Sequence, residues 1–158
     1  MESLKSLVVY KSLVPSKISN IKIVVEDLIC NIEQCCGELD DCTLFELKVI
    51  LNELLVNAIR HGNMDDENKN VKIVASIVED RNLFVIVEDE GSGYDYNHAC
   101  DNLKPFCNGL EPSDVSDCSE CGRGILIVKR LCESVQVNTR GNRTAILKRI
   151  SKASPKTD

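Results

Sequence analysis

The sequence predicts an α+β two-layer sandwich in which helices cover one face of a mixed, mostly antiparallel sheet. Residues 46–63 (ELKVILNELLVNAIRHGN) space their apolar side chains at steps of three and one, which is the period of one buried helical face. Residues 71–78 and 83–88 are β-branched runs separated by a short polar segment, which predicts an antiparallel hairpin. Helical spacing precedes and follows this hairpin, and helices in that arrangement pack on one face of the sheet.

The first elements are a strand and a helix. Residues 7–10 (LVVY) predict a short strand, and Pro15 ends the extended segment. Ser16 is predicted to cap the next helix, whose apolar stripe continues to about Cys36.

The central helix follows a polar break. Thr43 and Glu46 stand three residues apart, which fits a capping box at its start. Gly62 is predicted to end the helix, because glycine commonly follows a helical C-terminus.

The second half of the chain contains a long polar segment and then returns to regular structure. Residues 94–121 lack clear periodicity, and loops of that length are typically functional lids or disordered. Helical spacing resumes over residues 125–131, and residues 135–138 and 144–150 predict two closing strands. Residues 151–158 form a predicted polar tail.

Composition narrows the function classes. A chain of 158 residues with 43% hydrophobic and 28% charged residues predicts one globular domain, over residues 1–150. The net charge of −6 argues against direct nucleic-acid binding, which needs a basic face. No apolar run is long enough to span a membrane, and no secretory signal is visible. Nine cysteines without an export signal predict reduced thiols and a cytoplasmic protein.

Asp89 ends an apolar strand, where a carboxylate is costly without a partner. A carboxylate accepts hydrogen bonds, so this side chain would select the exocyclic amine of adenine over the carbonyl of guanine. Gly91 and Gly93 would let the backbone pass close to such a ligand. The alternative is an ordinary turn that ends the strand.

Gly122, Arg123 and Gly124 precede a predicted helix. Free backbone N–H groups at a helix start bind phosphate oxygens, and Arg123 would add positive charge toward a triphosphate. The alternative is a plain helix start, because the glycine–arginine–glycine pattern is weak by itself.

Glu53 and Asn57 are four residues apart and therefore share one edge of the central helix. A carboxamide oxygen and phosphate oxygens suit Mg²⁺, which takes few protein ligands. The carboxylate one turn away is placed to accept a proton from an attacking hydroxyl. The alternative is a solvated glutamate beside an asparagine at the sheet edge.

These three signals, in this order and with a lid between the second and third, resemble the ATPase superfamily of gyrase, histidine kinases and MutL. The closest resemblance is to its anti-sigma-factor serine kinases. It is carried by residues 46–63, residues 81–93 (RNLFVIVEDEGSG) and residues 122–137 (GRGILIVKRLCESVQV). The resemblance extends over residues 7–150.

The resemblance implies roles for the central helix and for the strand end. It identifies Glu53 as the base on the substrate serine and Asn57 as the Mg²⁺ ligand. It identifies Asp89 as the adenine-binding aspartate, with Gly91 and Gly93 lining the nucleotide.

The resemblance also implies that Gly122 and Gly124 are the phosphate-loop glycines and that Thr144 lies near the adenine. Arg143 departs from the family pattern, because a glycine usually precedes this threonine. Arg60 follows the asparagine much as in the family, although a cation also suits any helix C-terminus.

The family resemblance implies an ATP- and Mg²⁺-dependent protein serine kinase. Its substrate would be an anti-anti-sigma (STAS-type) protein, and the kinase, as a homodimer, would also sequester a sigma factor. One alternative is a nucleotide-gated protein-binding regulator without kinase activity, and another is a switch kinase on a stressosome-type scaffold. A histidine kinase would need an acceptor histidine on a separate helix, and the chain has only His61 and His98.

Four cysteines fall in or beside the predicted lid, namely Cys100, Cys107, Cys118 and Cys121. Four thiolates can bind Zn²⁺ or make a lid sensitive to oxidation. Only the last pair has the spacing of metal ligands, and cysteine also serves elsewhere in this chain as a small hydrophobic residue.

Overall fold

The computed structural model describes residues 5–92 and 120–155. The strands in these ranges are β1 (Ser6–Pro15), β2 (Asn70–Val78), β3 (Asn82–Asp89), β4 (Ser134–Val137) and β5 (Arg143–Arg149). The α-helices in these ranges are α1 (Asn20–Cys36), α2 (Asp41–Val56) and α3 (Glu120–Leu131). A π-helical turn (Asn57–Gly62) continues α2 without a break.

The five strands form one sheet in the order β1-β2-β3-β5-β4. Every neighbouring pair of these described strands is antiparallel, so the predicted two-layer sandwich is confirmed and its sheet is antiparallel here. The β2–β3 hairpin is confirmed as well. Its turn residues Glu79 and Asp80 have φ angles of 54° and 61°, the left-handed conformation that tight hairpin turns need.

The core lies between the helices and one face of the sheet. Side chains alternate across the sheet, and on β3 the buried residues are Leu83, Val85, Val87 and Asp89. They face the buried stripes of α1 and α2, on which Leu28, Ile32, Leu47 and Leu51 are almost fully buried. Among the residues described, no helix combines the length and apolarity required to cross a membrane.

The predicted cap at Ser16 is wrong, because this side chain serves the sheet. The first strand runs on to Pro15, and the buried Ser16 hydroxyl donates to the carbonyl of Lys69 at 2.8 Å. Helix α1 begins at Asn20, and Ser19 before it makes no side-chain cap.

The predicted capping box is also wrong. The Asp40 carboxylate accepts from the backbone N–H of Thr43 at 2.7 Å and caps α2, and these bonds hold the pKa of Asp40 below its usual value. Thr43 instead accepts from the N–H of Ser151 through its hydroxyl at 3.2 Å, and Glu46 pairs with Lys148. An aspartate at the preceding turn therefore takes the capping role, which frees both predicted members for tertiary contacts.

Residues of the predicted tail contact the segment between α1 and α2. Asp40 donates its backbone N–H to the carbonyl of Ser151 at 3.0 Å. The N–H of Ala153 donates to the carbonyl of Glu38 at 2.8 Å, and Leu39 and Lys152 form an isolated bridge.

Helix α3 starts earlier than expected. It begins at Glu120, so residues 122–124 lie inside its first turns rather than before it. The predicted lid at 94–121 mostly lies outside the described residues, which resume at Glu120. The two predicted closing strands correspond to β4 and β5.

Lys148 connects three elements from the inner face of β5. Its ammonium pairs with the Glu46 carboxylate of α2 and donates to the carbonyl of Leu131, the last residue of α3, at 2.7 Å. The Lys148 side chain is 9% exposed and the Glu46 side chain 26% exposed, so both charges are largely removed from water.

We expect Lys148→Met to lower the free energy of unfolding by about 3 kcal/mol, because it leaves the Glu46 carboxylate without its buried partner. Adding Glu46→Leu should recover most of that loss, since an apolar pair replaces the ion pair. Urea unfolding followed by circular dichroism measures both values. Lys17→Met, at an exposed position just before α1, is the control, and a loss at Lys148 no larger than at Lys17 would contradict the expectation.

Candidate active site

Helix α2 changes its pitch at the predicted site residues. The backbone N–H of Asn57 still bonds to the carbonyl of Glu53, but the N–H of Asn63 bonds to the carbonyl of Ala58, five residues earlier, at 2.8 Å. A π-helical turn holds one more residue than an α-helical turn, so it rotates the residues that come after it. Here it directs Gly62 and Asn63 toward the end of β3.

Asp89 lies at that strand end and is 6% exposed. One carboxylate oxygen accepts from the backbone N–H of Gly91 at 2.9 Å. The main chain of Asp89 is held by Asn142, whose carbonyl accepts the Asp89 N–H at 2.9 Å and whose side-chain amide donates to the Asp89 carbonyl at 3.3 Å. Asn142 therefore fixes the backbone of Asp89, while the Asp89 carboxylate can still accept a hydrogen bond from a further donor.

Two glycines make this arrangement possible. A Cβ atom on Gly62 would overlap the Asp89 carboxylate, and a Cβ atom on Gly91 would overlap the carbonyl of Gly62. Gly62 does end the helical segment, as expected, but with its φ outside the left-handed region. Its glycine is required by the close approach of two segments.

Burial raises the pKa of the Asp89 carboxyl above its usual value, because desolvation disfavours the charged form. The hydrogen bond from Gly91 and the charges of Lys69 and Arg140 act in the opposite direction and are smaller in effect. A carboxylate kept in this state gains when a ligand donates a hydrogen bond to it.

The tertiary fold brings three predicted ligand contacts into one small pocket, namely Asn57, Asp89 and Thr144. The remaining lining residues are Leu54, Ala58, Val87, Gly141 and Asn142. Arg143 does not disturb this pocket, because alternation places it on the opposite sheet face. There it pairs with Glu88, with an Nε–Oε2 distance of 3.9 Å.

The side-chain amide of Asn57 is buried, and its Nδ2 has no hydrogen-bond partner among the described residues. Such a buried amide is costly unless a ligand completes it. The oxygen and nitrogen of an amide exchange places by a half turn, so the same side chain can present its oxygen to a cation. These features fit the Mg²⁺ ligand that the resemblance implies.

Helix α3 places its first turns against this pair. A Cβ atom on Gly124 would overlap a Glu53 carboxylate oxygen and would lie 3.7 Å from the Asn57 Nδ2. The glycine therefore lets the start of α3, with its free backbone N–H groups, approach Glu53 and Asn57 closely.

The other predicted site residues that the structure describes are not among the residues that line the small pocket. Arg60 is exposed in the π-helical turn, and Arg123 is exposed on α3. Gly122 belongs to the backbone of α3. Gly93 and the cysteines at 100, 107 and 118 lie outside the described residues, and the fourth candidate thiol, at 121, is in α3, so the zinc hypothesis stays a prediction.

Sequence reasoning misses two residues of the site. Asn63 has no predicted role, although it is fully buried beside the Asp89 loop. Asn142 is predicted only as part of a turn, although it holds the Asp89 backbone from the other side. Neither has a local signal, because each contact joins residues far apart in the chain.

A groove of about 700 Å³ opens between α1 and α2, and Glu53 lies on its border. Its apolar lining is Ile18, Ile21, Val25, Phe45, Val49 and Val56. Phe45 is 68% exposed, which is unusual for a phenylalanine on a helix that faces a core. Glu53 thus lies between this groove and the pocket of Asn57 and Asp89.

Comparisons with a protein family and with individual known proteins agree with one another. The family described as histidine kinase-like ATPase domain matches residues 14–148. The chain is 28% identical to the serine-protein kinase RsbW of Bacillus subtilis (strain 168) over 134 residues, which cover 84% of this chain and 78% of that protein. It is 30% identical to the anti-sigma F factor of Clostridium perfringens (strain SM101 / Type A) over 122 residues, or 77% of this chain and 78% of that protein. It is 36% identical to the anti-sigma F factor of Shouchella clausii over 95 residues, 60% of this chain and 59% of that protein.

We expect Asp89→Asn to make the protein more stable at neutral pH while weakening ATP binding about tenfold or more. Between the usual pKa of 3.8 and the raised folded value, the folded state holds a proton that the unfolded state has lost, so stability falls as pH rises through that window. Asparagine removes this cost, and the two proteins should be equally stable only below pH 3.8. Thermal unfolding from pH 3 to 8 and calorimetric ATP titration measure the two effects. If the stabilities of the two proteins differed by the same amount at every pH, a raised pKa for Asp89 would be contradicted.

Proposed function

The chain belongs to the histidine kinase-like ATPase family, and from this premise we propose that it is an ATP-dependent protein serine kinase of the anti-sigma-factor type. The observation that carries the proposal is the position of Glu53. It lies beside the buried Asn57 amide and the start of α3 on one side and borders an open apolar groove on the other.

The nucleotide is proposed to bind between the π-helical turn and the ends of β3 and β5. The Asp89 carboxylate would accept a hydrogen bond from the exocyclic amine of adenine, which guanine does not offer. Thr144 lines the same pocket, and Gly91 donates its backbone N–H to the Asp89 carboxylate. Gly91 and Gly93 are proposed to line the nucleotide, as the family resemblance implies. The triphosphate would extend toward Asn57 and the start of α3, whose free N–H groups favour anions.

Asn57 is proposed to hold Mg²⁺ through its side-chain oxygen, together with phosphate oxygens and water. When bound, the cation would neutralise charge on the phosphate oxygens. The free N–H groups at the start of α3 and the exposed Arg123 would add donors and positive charge at the same place.

Glu53 is proposed to be the catalytic base. Its carboxylate would take the proton from the serine hydroxyl as that oxygen bonds to the terminal phosphorus of ATP and ADP leaves. The same helix holds Asn57 one turn away, so the base and the phosphate-binding groups keep a constant separation. That rigidity favours in-line transfer, which depends mainly on positioning.

The groove between α1 and α2 supports a protein as the acceptor. A small acceptor such as water needs no apolar surface beside the base, whereas a protein segment can bury Phe45 and its apolar neighbours. By family membership, the proposed substrate is an anti-anti-sigma (STAS-type) protein and the proposed second partner is a sigma factor. The setting proposed for these partners is the cytoplasm.

Two alternatives share the nucleotide site. A nucleotide-gated regulator would bind ATP and a protein partner without transferring phosphate. A switch kinase on a stressosome-type scaffold would carry out the same chemistry on a different partner. The placement of a carboxylate at the junction of pocket and groove favours phosphate transfer over gating alone.

We propose that the chain forms a homodimer through the sheet face that the helices leave uncovered. The larger apolar residues near the middle of this face include Val8, Leu13, Val74, Phe84, Ile86 and Leu147. Val8 is 58% exposed and Leu13 64% exposed. A row of Lys72, Glu88 and Arg143 crosses the same face. It carries both signs of charge, so a second copy related by a twofold axis can pair with it.

We expect Glu53→Gln to abolish phosphate transfer while ATP affinity stays within about threefold, because glutamine keeps the size of the side chain but cannot take up the proton. The assay adds protein, Mg²⁺ and ATP labelled on its terminal phosphate to a lysate of the source cells. An acid-stable label on a small protein, absent with Glu53→Gln, is the expected result.

Glu67→Gln, in the exposed turn before β2, is the matched control and should label normally. Equal labelling by Glu53→Gln would remove Glu53 as the base. An acid-labile label would indicate histidine chemistry. Intact ATP binding with no label, given dephosphorylated partner proteins, would favour the nucleotide-gated regulator.

We expect Phe84→Glu to convert the dimer to a monomer, because an unpaired carboxylate buried in the interface costs several kcal/mol. Sedimentation equilibrium measures the change. Ile23→Glu, at a position 59% exposed on α1, is the control and should leave the dimer intact. A monomeric wild-type protein at micromolar concentration would refute the proposal.

A further inference from the structure

Asn63 is fully buried, and both ends of its amide are used. The Nδ2 group donates to the Ser16 hydroxyl at 2.5 Å and to the backbone carbonyl of Asn70 at 3.0 Å. The Oδ1 atom accepts from the backbone N–H of Glu90 at 2.7 Å. One side chain after the π-helical turn therefore joins the ends of β1 and β3 and the start of β2.

Asn63, Asn70 and Glu90 form a closed ring of hydrogen bonds. Asn63 accepts from the Glu90 N–H, the Glu90 carboxylate accepts from the Asn70 N–H, and the Asn70 carbonyl accepts from Asn63. In a closed ring each bond orients the next donor or acceptor, so the members hold one another in place and losing one weakens the rest. Its consequence is a fixed position for the peptide that comes after Asp89.

The ring is anchored in the sheet. The hydroxyl of Ser16 accepts from Asn63 and donates its own hydrogen to the carbonyl of Lys69. The backbone N–H of Ser16 donates to the same carbonyl at 3.0 Å. The position of Asn63 is therefore set by the paired ends of β1 and β2.

Asp89 lies between this ring and Asn142. The peptide before Asp89 is held by the carbonyl of Asn142. The peptide after Asp89 is held at its N–H by Asn63 and at its carbonyl by the side-chain amide of Asn142. The direction of its carboxylate depends on both, because a side chain follows the orientation of its own backbone. Of the two supports, Asn63 alone is fully buried.

We propose that Asn63 is a positioning residue for base recognition, holding the 89–91 loop so that Asp89 discriminates the exocyclic amine of adenine. This inference rests on the proposed nucleotide site. Asn63 acts through the Glu90 peptide and needs no contact with the nucleotide. Without it, the loop would shift, and the Asp89 carboxylate would lose its direction rather than its charge.

The test compares ATP with purine riboside triphosphate, which lacks only the exocyclic amine. Calorimetric titration with Mg²⁺ gives the ratio of the two affinities. We expect the wild-type protein to prefer ATP at least tenfold, since the amine donates to a charged acceptor. Asn63→Ala should bring the ratio to within about twofold of one, mainly by weakening ATP binding.

Glu90 provides a second variant that leaves the core intact, because its side chain is exposed. Glu90→Ala opens the ring and should lower the ratio at least threefold. Glu90→Gln keeps an acceptor for the Asn70 N–H and should restore it. Glu67→Ala, an exposed glutamate of the same region, is the matched control and should keep the wild-type ratio.

A merely structural role for Asn63 predicts a different pattern. Lower stability would weaken both nucleotides equally and leave their ratio unchanged, and that result would overturn the inference while keeping the Asp89 assignment. A wild-type ratio near one would refute adenine recognition by Asp89 and the inference with it. If Asn63→Ala fails to fold, an unchanged ratio in Glu90→Ala overturns the inference.

Discussion

The close approach of the π-helical turn to the end of β3 is the constraint on which the site depends. Two backbone segments meet with no room for a side chain at Gly62 or Gly91, and the Asp89 carboxylate fills the space between them. An α-helical continuation of α2 would direct the residues after Asn57 elsewhere, because the extra residue of a π-helical turn rotates the rest of the helix about its axis. The π-helical turn therefore connects two parts of the proposed site. One is helix α2, which carries the proposed proton acceptor Glu53, and the other is strand β3, which carries the proposed adenine-binding residue Asp89.

The same helix carries a second set of contacts at its other end. Glu46 and Glu53 are seven residues apart, so they lie two turns apart on a common face of α2. Glu46 meets the last turn of α3 through Lys148, and Glu53 meets its first turn at Gly124. Helix α3 is thus held against α2 at both ends, which keeps its N-terminus beside the proposed catalytic groups.

The buried polar groups of this site differ in how fully the protein satisfies their hydrogen bonds. Asp89 remains in a desolvated position that raises its pKa, and Asn57 keeps an amide nitrogen without a partner among the described residues. Asn63, by contrast, is buried with every bond satisfied. Asp89 and Asn57, whose hydrogen bonds are incomplete, line the pocket, whereas Asn63, whose hydrogen bonds are complete, holds the loop after Asp89. This division is expected of a site that a ligand completes.

The sequence by itself determined the sandwich, the hairpin, the central helix and the candidate identities of Glu53, Asn57 and Asp89, because periodicity and short motifs are local. Its capping assignments at Ser16 and Thr43 were wrong, since several polar residues competed for each helix start and distant partners decided between them. Only the tertiary structure decided that Gly62 must be glycine, that Asn63 closes a ring and that Thr144 joins the pocket despite Arg143. These are contacts between residues far apart in the chain, and no local pattern encodes which donor meets which acceptor once strands and helices have packed.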